Sequence, residues 1–327
     1  MTAHSSSGRP ATVAFVPPAA STRPILIVGA PRSGTTLLAT MLNAHSDIFV
    51  ANETKLLIDC LPASHTHIDI SSAKLEEEAA ARGLMMVPDT ASSDVVRSAG
   101  DVPARMRRLF ERAAAQQGKR RWGEKTAVAY RRLGDITRAF PDGCFIGLER
   151  DVAAVAASYE RINPTWGAAG GVLHWLEFRR AIARQGPDFN FLLVRYEQLV
   201  SDTEATLRRV CEFVGEPFDP VMLEHHKTER AKALSRSPEF SGAASAVYAA
   251  TGRAEPVPLP GWLLDGARRY AVRLDAARAD ISPPAWYRGI DMFVKLRLVV
   301  REMRQNGGFA TVRKILKAQR LKLIGSA

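Results

Sequence analysis

The stretch from Pro24 to Leu38, Pro-Ile-Leu-Ile-Val-Gly-Ala-Pro-Arg-Ser-Gly-Thr-Thr-Leu-Leu, constrains the fold more than any other. A short apolar run of strand type ends in a turn holding Gly29, Pro31 and Gly34. Leu37, Leu38, Met41 and Leu42 then recur at helical spacing. A strand that feeds a glycine-bearing turn at a helix N-terminus aims several backbone N–H groups at one small volume, and the helix dipole adds about half a positive charge there. The stretch therefore predicts an anion cradle at a strand tip.

The spacing from Gly29 to Gly34 resembles the phosphate loop G-x-x-x-x-G-K-[ST], but Thr35 stands where that loop has its lysine. Without it the β- and γ-phosphates of ATP or GTP lose their usual partner, which argues against an NTPase. Arg32 remains as a cationic donor, with the hydroxyls of Ser33, Thr35 and Thr36 around it. Pro-Arg-Ser-Gly-Thr-Thr in this setting resembles the 5′-phosphosulfate loop of sulfotransferases that use 3′-phosphoadenosine-5′-phosphosulfate (PAPS). A Gly/Pro turn without a ligand is the plain alternative.

The 327 residues suffice for one large domain or two smaller ones. No apolar run reaches the roughly 18 residues of a membrane span. Residues 1–23, rich in Ser, Pro, Ala and Thr and lacking a continuous apolar core, read as a disordered leader. Three widely separated cysteines, Cys60, Cys144 and Cys211, suggest buried thiols in a reducing cytoplasm, with neither a disulfide framework nor metal-ligand spacing. The net charge of +11 is uneven: from Lys295 to Lys322 there are nine basic residues and one acid. The excess thus belongs to a tail, and the nearly balanced body gives no reason to expect nucleic acid.

After the first helix, Ile48-Phe49-Val50 leads to Glu53, an acid placed to share the sheet edge with the first loop and therefore a candidate general base. Its alternative role is that of an acid favoured by the dipole of a helix starting near Leu56. Glu76 to Ala81 reads as a short helix within a loop-rich region, residues 59–100, where acceptor-specific structure is expected; His65 and His67 there read as a solvated pair. Asp101, Pro103, Met106, Leu109, Phe110 and Ala113 predict a helix ending by Gly118. Lys125-Thr126 then resembles the Lys-Thr-His segment of small-molecule sulfotransferases, where the lysine approaches the transferring sulfonate. Ala127 replaces the histidine base, and Glu53 gains weight accordingly.

Cys144 to Leu148 predicts a strand, with Asp151 as N-cap of the helix that follows. Arg150 and Ser158 resemble the family's 3′-phosphate pair, an arginine ending such a strand and a serine eight positions on. Guanidinium offers phosphate a bidentate fork, and a hydroxyl completes the shell. A helix from about Ala168 to Arg184 carries His174, a second candidate base unless it belongs to the core. The strand ending in Arg195-Tyr196-Glu197 resembles tyrosylprotein and carbohydrate sulfotransferases, which implies that Tyr196 contacts the nucleotide. Asp202 is expected to cap a helix with the stripe Leu207, Val210, Cys211 and Val214, closed by Gly215; Phe213 and Phe218 pack. Beyond Pro220 the resemblance thins, and Arg253 is left without a role. Phe293, Leu296, Val300 and Met303, then Phe309, Val312, Leu316 and Leu323, recur at helical spacing among cations.

The resemblance runs from about residue 24 to residue 220 and is nearer the tyrosylprotein, carbohydrate and bacterial sulfotransferases than the cytosolic small-molecule type. It implies an α/β fold: a P-loop NTPase-like three-layer sandwich whose mostly parallel sheet is flanked by helices. The expected organisation is a leader (1–23), a sulfotransferase domain (24–288) and a basic amphipathic helical tail (289–327). The implied catalytic residues are Glu53, Lys125 and Arg32; the implied nucleotide ligands are Arg32, Ser33, Gly34, Thr35, Thr36, Arg150, Ser158 and Tyr196. PAPS is the expected co-substrate, no metal is expected, and a cytoplasmic protein, peripheral to a membrane or not, is expected. Two other readings stay open, a small-molecule or nucleotide kinase of related fold and a non-catalytic anion- or membrane-binding module. So do membrane-surface contact and self-association through the tail.

Overall fold

Among the described residues, five short strands form one sheet, and all of its pairings are parallel. The computed structural model describes residues 23–62, 72–84, 101–186, 188–236, 259–277, 279 and 281–306. The strands are β1 (Ile25–Gly29), β2 (Ile48–Asn52), β3 (Arg121–Lys125), β4 (Cys144–Glu149) and β5 (Phe191–Arg195), in the spatial order β2-β3-β1-β4-β5. Alternation assigns their side chains to two covered faces, as a parallel sheet requires. Leu26, Val28, Phe49, Ala51 and Phe145 lie in one apolar cluster. Ile25, Ile27, Ile48, Val50, Ile146 and Leu148 lie in the other.

The helices complete the outer layers. On one face α1 (Thr35–Ala44) contributes Leu37, Leu38 and Met41, and α9 (Thr203–Val214) contributes Leu207, Val210 and Val214. On the other lie α4 (Asp101–Gln116), α6 (Val152–Ile162), α7 (Gly167–Ala183) and α11 (Gly261–Ala277). The expected stripe of α4 is buried at Met106, Leu109, Phe110 and Ala113, and Phe110 stacks on Trp122 of β3 at 4.7 Å. Shorter helices fill the connections: α2 (Leu56–Asp59), α3 (Ser72–Ala81), α5 (Leu133–Ala139), α8 (Tyr196–Ser201) and α10 (Glu229–Ser235). The last described helix, α12 (Ala285–Asn306), runs across position 289 and buries Ile290 and Val294; the rest of the expected tail, 307–327, lies outside the described residues.

Two expected caps fare differently. Asp151 accepts from the N–H groups of Ala153 and Ala154 and fastens α6. Asp202 precedes α9, but its side chain makes no capping bond; its N–H bonds to the Gln198 carbonyl, so the residue serves the end of α8. Gly215 closes α9 at φ 77°, as its sequence position predicts.

Winding fixes the location of the site. From β1 the chain passes over α1 to the β2 side of the sheet, and from β4 it passes over α6 and α7, on the opposite face, to β5. The crevice outside the carboxyl ends of β1 and β4, where the winding reverses, is where open α/β sheets take ligands.

Candidate active site

The loop of residues 30–34 spans that crevice. Gly29 admits no side chain, because a Cβ there would stand 2.6 Å from the Leu148 carbonyl oxygen. Gly34 is the N-cap of α1 at φ 99°, a conformation glycine adopts without penalty, and a Cβ would stand 2.4 Å from the Tyr196 ring. No side chain caps α1 and no acid occupies its first turn. The first N–H groups of the helix thus have no intrahelical acceptor, and the dipole at that end is not offset by local acids. Ser33 serves the turn itself, since both its N–H (3.1 Å) and its Oγ (2.7 Å) donate to the Ala30 carbonyl.

Arg32 follows the crevice to the β4 side. It is held at φ 73°, unusual for a residue with a side chain, and its Nε donates to Ser158 Oγ of α6 at 3.0 Å. Arg150, at the tip of β4, directs a guanidinium nitrogen to the Arg32 carbonyl (3.4 Å) and lies over the Tyr196 ring at 4.4 Å. The Trp175 indole N–H fixes the Arg150 carbonyl at 2.9 Å. Arg32, Arg150, Ser158 and Tyr196, drawn from four parts of the sequence, therefore border one another.

On the other side of β1, Lys125 ends β3 with its side chain fully buried. Its Nζ donates to Thr36 Oγ1 of α1 (3.0 Å) and to Glu53 Oε1 (2.8 Å), which also accepts the Ala127 N–H at 3.2 Å. Burial lowers the Lys125 pKa, and the Glu53 charge opposes the shift. Glu53 lies outside the first turn of α2, whose N-cap is Lys55, so its partner is the lysine and not the helix dipole. The acid stands at φ 53° and Lys55 at φ 58°, two left-handed residues in one turn.

Glu124, which no sequence motif singles out, holds that turn. Its buried Oε1 accepts from Thr54 Oγ1 at 2.9 Å and from Thr126 Oγ1. Those hydroxyl oxygens in turn accept the backbone N–H groups of Leu56 and Lys55, both at 3.3 Å. Burial pushes the Glu124 carboxyl up to about 7, against the pull of the two hydroxyls. No sequence signal finds it, because the segment reads as polar and exposed; only the pairing of β3 on both edges makes this a buried acid.

His174 belongs to the core. Tyr130 donates its hydroxyl proton to Glu177 (3.2 Å) and meets His174 Nδ1 at 2.7 Å, while the Tyr159 hydroxyl lies 3.1 Å from Nε2. Both ring nitrogens are engaged, and burial lowers the pKa to about 3. A base role for this residue is accordingly corrected to a structural one. His65, His67 and Arg253 lie outside the described residues.

Fold and site together define an α/β protein with a glycine-bearing loop and a helix N-terminus at the switch point of a parallel sheet. The sequence profile described as the Sulfotransferase family matches residues 24–220. The chain belongs to the sulfotransferase family. It is 25% identical to the protein-tyrosine sulfotransferase of Drosophila melanogaster over 220 residues, 62% of this chain and 40% of that protein. It is 27% identical to protein-tyrosine sulfotransferase A of Caenorhabditis elegans over 230 residues, 65% of this chain and 55% of that protein. The chain thus spans roughly half the length of these two relatives. Among solved structures, the sulfotransferase domain of the Synechococcus PCC 7002 olefin synthase shares the fold, with a TM-score of 0.54 at 23% identity over 80% of this chain and 97% of that one.

Proposed function

We propose that the chain transfers a sulfonate group from PAPS to a hydroxyl or amine of an acceptor by in-line displacement. The observation that carries this is Lys125 Nζ, which touches the carboxylate of Glu53 and the hydroxyl of Thr36 at once. A base and a cation thereby meet at the rim of an anion cradle. The residues fit the donor's two anionic ends: Arg32, Thr35, Thr36 and the start of α1 on the 5′ side, Arg150 and Ser158 on the 3′ side, with Tyr196 beside the base. The donor supplies an activated sulfonate. Glu53 accepts the acceptor's proton as the new bond to sulfur forms. Arg32, Lys125 and the loop N–H groups take up the charge that grows on the bridging oxygen as the bond from sulfur to the 5′-phosphate breaks. The product is adenosine 3′,5′-bisphosphate.

No described helix is long and apolar enough to cross a membrane. Three buried free cysteines support a reducing, cytoplasmic setting. The test is a thermal-shift comparison of adenosine 3′,5′-bisphosphate with ATP and Mg²⁺. Stabilisation by the first and not the second is expected; the reverse would assign the site to a kinase. Glu53→Gln is expected to bind the bisphosphate normally and to abolish transfer.

A further inference from the structure

We propose that α12 docks the protein onto an anionic lipid surface, lying flat in the headgroup region. One side of this helix is committed to the body: Ile290 and Val294 are buried, and Trp286 stands against Gly266 of α11. Another side exposes a row of large apolar groups, Met292 at 69%, Phe293 at 51% and Leu296 at 59%. Positions three and four apart share a helix face. The same spacing continues in the sequence at Val300 and Met303. Exposed cations border the row: Arg288 and Lys295 on one flank, the latter paired with Asp291, and Arg297 on the other. The Arg297 guanidinium also lies over the Phe293 ring, 5.8 Å from its centroid, and donates to the Pro164 carbonyl in the turn between α6 and α7.

Charge selects the occupant. Nine basic residues and one acid fall between Lys295 and Lys322. A second copy of this face would bring cations against cations, and a nucleic acid would leave the apolar row without a counterpart. An anionic bilayer answers both features: the acyl boundary takes the apolar side chains, and each nearby Lys or Arg gains from the surface potential. This inference does not depend on the sulfotransferase reading, because it uses no residue of the proposed nucleotide site.

The test is co-sedimentation of the full chain with vesicles of phosphatidylcholine mixed with phosphatidylglycerol, and with vesicles of phosphatidylcholine alone. Binding to the mixed vesicles, weakened by added salt and absent from the neutral ones, is expected. Replacing Met292, Phe293 and Leu296 together by Ser should weaken it by roughly tenfold or more. Arg288→Glu with Lys295→Glu should weaken it similarly. Both variants should keep the parent's melting temperature and its response to adenosine 3′,5′-bisphosphate, which reports an intact fold. Four results would each overturn the proposal: no binding to the mixed vesicles, equal binding to neutral ones, undiminished binding by the serine variant, or a dimer in light scattering that the serine variant dissolves. A parent that binds vesicles but no nucleotide would instead sink the proposed function and leave the docking intact.

Discussion

Replacing Glu124 by Gln tests the buried carboxyl behind the Glu53 turn. In the folded chain this group titrates at about 7, against 4.5 for the ordinary side chain. The folded state therefore binds more protons than the unfolded state between those values, and stability must fall as pH rises through that window. From about pH 5 to about pH 8 the loss from this one group is about 2.5 kcal/mol. Gln carries no charge at either pH but keeps a carbonyl oxygen for the hydroxyls of Thr54 and Thr126. Urea unfolding of both proteins across this range removes the contribution of all other groups by subtraction. The variant's stability relative to the parent should rise by about 2.5 kcal/mol from the acid to the alkaline end. A difference that stays constant with pH would refute a carboxyl held up by burial. Glu124→Ala, which removes the acceptor as well, should release the turn and lower kcat by roughly tenfold or more.

Three other outcomes are expected. Lys125→Ala should lower kcat by roughly 10²–10³-fold while changing the affinity for adenosine 3′,5′-bisphosphate far less; equal losses in both would remove its role in the chemical step. Gly34→Ala meets both the left-handed backbone and the Tyr196 ring, so a stability loss of about 1–3 kcal/mol and weaker nucleotide binding should appear together in thermal shift. His174 is neutral when folded, with a pKa of about 3, and takes a proton when unfolded, near 6.5. The parent should thus lose about 2 kcal/mol between about pH 7 and about pH 5 from this group, a loss that His174→Gln should abolish in chemical denaturation.

The local grammar of the fold was legible because strand and helix periods change abruptly at Gly29–Gly34 and at Arg150–Asp151. The strand order was not, since nothing in a sequence says that β3 inserts between β2 and β1. The strand β3 itself hides its pattern: Arg121, Glu124 and Lys125 are all buried, so its polar residues mimic an exposed segment. The positions of Glu53, Lys125, Arg32 and Arg150 at strand tips could be read from their place after apolar runs or from family resemblance. The contact of Arg32 with Ser158 could not, because it joins residues 126 positions apart and depends on the left-handed backbone at Arg32. Glu124 escaped for a related reason, as one of its two partners, Thr54, lies on a turn whose shape is set by two residues that rarely adopt it.

The insertion of β3 beside β1 gives the molecule a division of labour. Arg150 and Ser158, proposed to grip the nucleotide's far phosphate, follow β4, and Tyr196, proposed to lie beside its base, follows β5, all on one bank of the central strand; the proposed general base follows β2 and its lysine ends β3, on the other. A lineage altering what it sulfonates can therefore revise residues 55–62 and 127–132 while Arg150, Ser158 and Tyr196 stay untouched. Exchange of the donor itself would demand changes on the opposite bank, so the two specificities are free to evolve at separate paces.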